Sequence, residues 1–140
     1  MAEFLYRFAD TFSELDKDNL DRLSLIYSDD IHFRDPLHEV RGMAELRRYF
    51  GELYANVEQL HFDFEHIDQV REGEGYLRWC MTFAHPRLNK GQRIQVPGCS
   101  HVRWHDKVYQ HRDYFDAGAL LYEHVPVLGS AVSWLKRRMA

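Results

Sequence analysis

The chain has 140 residues, 45% of them hydrophobic, 14% aromatic and 29% charged, with a formal net charge of −4. This suits one soluble globular domain with a real core, and argues against a disordered chain or a general nucleic-acid binder. No apolar run is long enough to cross a bilayer, and Met1 to Asp10 lack the charged-then-apolar order of a signal peptide.

Phe4, Leu5, Phe8, Phe12 and Leu15 recur at helical spacing and predict an amphipathic first helix. Leu20, Leu23, Ile26 and Tyr27 continue the pattern in a second helix, entered through Asp18 or Asn19 as a cap. A short strand follows from Ile31 to Asp35 and stops at Pro36. Gly42 opens a third helix with Met43, Leu46, Phe50 and Leu53 on one face. Strands are expected from Leu60 to Val70, Gly75 to Phe83, Arg93 to Trp104 and Val108 to Asp116, the third of them bent near Pro97-Gly98. Gly73 with Gly75, the Pro86 to Gly91 stretch and His105-Asp106-Lys107 read as the turns between them. Helices first and an antiparallel meander afterwards predict an α+β domain, helices packed on one curved sheet, over residues 1–124.

After Pro126, the residues Val127, Leu128, Ala131, Val132 and Leu135 form an apolar stripe followed by Lys136-Arg137-Arg138. Residues 125–140 are therefore read as an amphipathic helix packed on its own domain, a pocket mouth or a partner. A membrane surface is the third reading, disfavoured because the stripe is short and anchoring needs a second signal.

Two stretches carry the chemistry. Strand alternation puts Ile31, Phe33 and Asp35 on one face, and Tyr109, His111, Asp113 and Phe115 on another. A carboxylate on the apolar face of a strand is costly unless it is paired, hydrogen-bonded or beside a wet pocket. Two of them suggest one polar-floored cavity for a small, mainly apolar molecule. His111 reads either as an acid–base or ligand-binding group or as a strand histidine bonded to backbone or water. Cys80 and Cys99, the only cysteines, lack metal-type spacing, and the scattered histidines form no HExxH. No metal and no organic cofactor are expected, and reduced thiols make the cytoplasm the default compartment.

The order of elements resembles the nuclear-transport-factor-2-like cone fold over residues 4 to 120, a superfamily holding ketosteroid isomerases, limonene-epoxide-hydrolase-like enzymes and SnoaL-like polyketide cyclases. Asp29-Asp30-Ile31-His32-Phe33-Arg34-Asp35-Pro36, followed by Gly42 and a helix, resembles the isomerase segment bearing its aspartate base. Lys107 to Asp116 resembles the last strand of the epoxide hydrolase, which bears a catalytic aspartate. The resemblance implies a cone-shaped barrel, Asp35 as general base, Asp113 as second carboxylate and Arg78 as its charge partner or an oxyanion stabiliser. His111 is the auxiliary, and Phe33, Cys80, Ser100, Tyr109 and Phe115 are the expected ligand contacts. In the same register Thr11 and Ser100 stand where the isomerase places its oxyanion-hole groups, and Cys80 where the hydrolase places a second aspartate. Arg78 and Asp113 also read as a buried salt bridge that only orders the cone.

That register puts Arg78, Cys80 and Thr82 inside, and Trp79, Met81 and Phe83 on the convex face as an apolar stripe covered by a second copy of the chain. The expected protein is a cytoplasmic homodimer that isomerises, cyclises, dehydrates or hydrolyses an apolar small molecule by acid–base chemistry. The alternative is a non-enzymatic ligand-binding or regulatory protein of the same fold.

Overall fold

The structure is a computed structural model that describes residues 3–86, 91–117, 134, 135 and 137–139. Helix α1 (Glu3–Ser13) is followed by a 3₁₀ turn at Leu20–Arg22, helix α2 (Leu23–Ile26), strands β1 (Tyr27–Arg34) and β2 (Glu39–Arg41), and helix α3 (Met43–Asn56). Strands β3 (Glu58–Arg71), β4 (Glu74–Ala84), β5 (Ile94–Trp104) and β6 (Val108–Phe115) complete the domain. They form one six-stranded sheet in the order β2-β1-β6-β5-β4-β3. Pairing is antiparallel except for β1 with β6, which run parallel. α3 touches β1 and β2 at one end of that order and β3 at the other. The sheet therefore curls around the helices without closing, as an open α+β cone.

The apolar spacing of α1 explains its docking, since Leu5, Phe8, Ala9 and Phe12 are all buried on the sheet. Phe12 meets Phe50 of α3 and Phe62 and Phe64 of β3 edge-on, which ties both helices to the far end of the sheet. Each such phenylalanine contributes roughly 1.5–3 kcal/mol on burial. Asn19 does not cap by its side chain as expected. It accepts from the Asp16 N–H at 2.6 Å and donates to the Glu14 carbonyl at 2.8 Å, so it shapes the loop before the 3₁₀ turn instead.

Four strand details differ from the sequence reading. β1 starts at Tyr27, straight after α2, and β2 was not anticipated. β5 runs unbroken through Pro97-Gly98. Gly98 is required there because the Trp79 indole lies over it: an added Cβ would sit 2.3 Å from the ring. The expected orientation of β4 is reversed. Leu77, Trp79, Met81 and Phe83 are buried, whereas Arg78 is exposed and Cys80 and Thr82 are only half-buried. The more apolar alternate set faces inward, as burial of hydrophobic surface demands. Trp79, Met81 and Phe83 are thus covered within one chain, and the stripe that argued for a convex-face dimer does not exist.

Bulges explain two further shifts of face. Between Trp104↔Val108 and Arg103↔Gln110, strand β6 carries one extra residue, Tyr109. Val108 and His111 consequently both point inward although they differ in parity. Glu65 is the extra residue in β3, so Phe64 and Ile67 share a face in the same way. Of the C-terminal segment, only Trp134, Leu135 and residues 137–139 are described, all helical, with Trp134 and Leu135 half exposed. The expected packing of Val127 to Val132 lies outside the described residues. No described helix is long and apolar enough to cross a membrane.

Candidate functional site

A cavity of about 480 Å³ opens between α3 and the concave face of the sheet. Its wall is mostly aromatic and aliphatic, with Phe12, Phe50, Phe62, Trp79, Met81 and Phe83 prominent. Three carboxylates line it: Asp113 from β6, Asp35 from the turn after β1, and Glu52 of α3, which is exposed at its rim. Phe33 lies between the clusters of Asp113 and Asp35, its ring 4.8 Å from that of His111 and 5.3 Å from that of Tyr49.

Asp113 belongs to a chain of buried side chains. Its Oδ1 accepts from Ser100 Oγ at 2.5 Å and from His111 Nε2 at 2.6 Å. Ser100 Oγ in turn accepts from Trp79 Nε1 at 2.8 Å, and His111 Nδ1 meets the Tyr27 hydroxyl at 2.8 Å. A carboxylate oxygen only accepts, so Nε2 carries the hydrogen, and a neutral His111 accepts from Tyr27 on Nδ1. Burial, and then the Asp113 charge, push the Tyr27 phenol well above its ordinary 10.0, which keeps it a donor. Asp113 Oδ2 bonds to none of the described residues. The Asp113 side chain is 17% exposed against 3% for His111. One oxygen is thus fixed by two donors, the other has no partner among the described residues, and Asp113 itself lines the cavity.

Asp35 is arranged differently. It ends β1 and starts the turn Asp35–His38, closed by the Asp35 N–H to the His38 carbonyl at 2.9 Å. Pro36 stops the strand, and the aspartate folds back on the turn as an Asx motif. Its Oδ1 accepts from the N–H groups of Leu37 at 2.8 Å and His38 at 2.7 Å, and lies 3.2 Å from His38 Nδ1. Its Oδ2 accepts from the Tyr49 hydroxyl. The side chain is 2% exposed. Burial, then the Asp35 charge, raise the Tyr49 phenol far above the ordinary tyrosine range, so it too stays protonated.

The expected site residues separate into two sets. Asp35, Asp113, Phe33 and Phe115 line the cavity, and Ser100 and His111 stand directly behind Asp113. Arg78 does not join them: it lies on the outer face of β4, opposite Cys99 of β5, so it forms no pair with Asp113. Cys80 shares that outer face, for the same reason of strand parity. Tyr109 sits at the β6 bulge, its ring stacked on His105 at 4.6 Å and away from the cavity. Tyr27, Tyr49 and Trp79 are the site members that the sequence reading missed. Tyr49 carried a signal, three residues after Leu46 on the apolar stripe of α3. Tyr27 carried none, because it reads as one more core residue after a helix. Among the described residues no cluster of His, Cys, Asp or Glu could hold a metal ion.

Comparison with known proteins gives one family and many folds alike. The sequence profile of the SnoaL-like domain matches residues 7–111. No curated protein matches the sequence. Among solved structures, the putative hydroxylase AclR from Streptomyces galilaeus is similar at 22% identity, covering 93% of this chain and 98% of that one, TM-score 0.70. A putative SnoaL-like polyketide cyclase from Shewanella putrefaciens CN-32 is similar at 16% identity over 84% and 90% of the two chains, TM-score 0.69. A hypothetical protein with a ketosteroid isomerase-like fold from Catenulispora acidiphila, in complex with trimethylamine, is similar at 13% identity over 85% and 89%, TM-score 0.72.

Proposed function

The chain belongs to the SnoaL-like domain family, and within it we propose that it binds a mainly apolar, ring-sized molecule and moves a proton on it with Asp113. One observation carries this reading: Asp113 lines an apolar cavity of about 480 Å³ with Oδ1 held by two donors and Oδ2 bonded to none of the described residues. A base must be both oriented and reachable: Asp35 is enclosed by its turn, Glu52 is exposed with no bond among the described residues to orient it, and Asp113 is both. His111 and Ser100 fix the plane of the carboxylate, Tyr27 and Trp79 hold those two groups in turn, and the aromatic wall keeps competing water away from Oδ2.

Asp35, the base implied by the resemblance, takes a positioning role in this reading, because its oxygens are occupied by the turn and by Tyr49. Arg78 takes none. The reaction class is proton transfer in an isomerisation, cyclisation, dehydration or hydrolysis. The putative polyketide cyclase and hydroxylase neighbours support a ring-bearing substrate. The second reading, a non-enzymatic ligand-binding or regulatory protein, is favoured by how completely the groups behind Asp113 satisfy one another.

The two readings divide in deuterated water. The protein is incubated with a panel of apolar keto-enols and hydroxyketones of one to three rings, and deuterium uptake is read by mass spectrometry. Uptake that disappears in Asp113→Asn supports the base. Binding without uptake supports the carrier, and uptake equal in wild type and Asp113→Asn excludes Asp113 as the base.

A further inference from the structure

The hydrogen-bond inventory of the cavity wall is one-sided. Around Asp113 there are four side-chain donors, and each is spent inside the protein. The Trp79 N–H goes to Ser100, the Ser100 O–H and the His111 Nε2–H go to Asp113 Oδ1, and the Tyr27 O–H goes to His111 Nδ1. The Tyr49 O–H is spent on Asp35. What these groups leave facing the cavity is acceptor capacity: Asp113 Oδ2 and the remaining lone pair of Tyr49 Oη. Of the described lining side chains with other donors, His38 and Asn56 are exposed, and the half-buried His85 follows the end of β4, well along the strand from the Leu77–Ser100–Asp113 row.

We propose that the ligand of this cavity is a hydrogen-bond donor, an apolar ring system that presents a hydroxyl or a protonated amine to Asp113 Oδ2. This rests on the reading that the cavity takes a small molecule, and adds the polarity of the group it takes. A ligand that offers only a carbonyl, an ether or a carboxylate meets lone pairs at the inner end and leaves Asp113 desolvated and unpaired, which is the costlier arrangement. A donor completes the one open position of a network otherwise closed. Hydroxyl and ammonium share this chemistry, and the aromatic wall accommodates either, the cation by its ring faces.

The probes share one ring frame: a naphthol, a naphthylmethylamine, a methoxynaphthalene and a naphthoate, substituted at the same position. Their binding to the full chain is measured by calorimetry near neutral pH. The naphthol or the amine should bind about tenfold or more tightly than methoxynaphthalene, and naphthoate weakest of all. Which of the two donors leads identifies the hydroxyl or the amine as the source.

Asp113→Asn gives the sharper reading. Ser100 and His111 both donate toward Oδ1, so the amide oxygen stays there and the amide NH₂ takes the Oδ2 position. The variant turns an acceptor into a donor, and the preference should invert toward methoxynaphthalene. Methoxynaphthalene or naphthoate binding wild type as tightly as the donors overturns the proposal and leaves the small-molecule reading standing. Failure of all four to bind overturns both. A folded Asp113→Asn protein that keeps the donor preference overturns the assignment to Asp113. If that variant fails to fold, the wild-type series decides alone.

Discussion

Asp35 and Asp113 begin as the same feature, an acid in an apolar strand run, and end as opposites. Asp35 is 2% exposed in its side chain and accepts four hydrogen bonds, three of them from its own turn. Asp113 is 17% exposed and places all its described bonds on one oxygen. The difference lies in where the donors come from. A turn supplies backbone N–H groups beside the acid in sequence, and these saturate it. A strand interior supplies none locally, so Asp113 takes its donors from Ser100 on the neighbouring strand and from His111 two residues back. Saturation makes a structural acid, and half-saturation leaves Asp113 one oxygen without a described partner.

The widest break between the two is expected in turnover. Asp113→Asn should lower it by about 10²–10⁴-fold, the usual contribution of a general base, with little change in melting temperature. Asp35→Asn should retain far more activity, and a loss as large as that of Asp113→Asn would falsify the division of roles. Stability should reverse the ranking. Asp35→Ala frees two turn N–H groups and the half-buried Tyr49 hydroxyl, and should cost about 2–3 kcal/mol in urea unfolding. An Asp35→Ala protein as stable as wild type would show that the turn does not depend on its acid.

Alkali tests both regions at once, since Tyr27 serves Asp113 and Tyr49 serves Asp35. Both phenols are held well above 10.0 in the folded chain, burial being the main cause, and Tyr54 is pushed up to about 12 by burial and then Asp16. Their unfolded counterparts ionise first, so this stability is present below pH 10.0 and is lost as pH rises through the folded values. Phenolate absorbance should therefore show these tyrosines titrating together with unfolding. Smooth titration of all tyrosines in a still-folded chain would contradict their burial. The smallest effect is expected from Trp79→Phe, which removes the donor to Ser100 and should cost about 1–2 kcal/mol while lowering turnover only modestly. A loss of activity matching that of Asp113→Asn would move Trp79 from support to chemistry.

Most of the fold was legible. Periodicity located the helices and the long strands, and Pro36, Gly42 and Gly73 punctuated them correctly. The site was half legible. Alternation alone brought His111, Asp113 and Phe115 to one face, and Phe33 and Asp35 to another. Arg78 and Cys80 lie outside the site because the apolar alternation of β4, and not the register of a related enzyme, sets its faces. Trp79, Met81 and Phe83 are the more apolar set, and the structure buries them. The Asp35 bonds were hidden for another reason: whether an acid next to a proline turns toward the cavity or back on its own turn depends on backbone dihedrals that composition does not encode. Tyr27 was hidden because a core tyrosine declares its hydroxyl partner only in three dimensions.

The bulge in β6 makes chain length part of the site. Tyr109 is the surplus residue between two regular stretches of the ladder with β5, since Val108 faces Trp104 and Gln110 faces Arg103. Deleting it would leave that ladder regular, with His111 and Asp113 still turned inward. Deleting Arg112 would instead carry Asp113 to the outer face. A lineage could thus lose or gain a residue at position 109 and keep its carboxylate aimed at the cavity, while the same event three residues later would disarm it. Tolerance to insertion and deletion along this strand is set by position relative to the bulge, independently of which side chains are gained or lost.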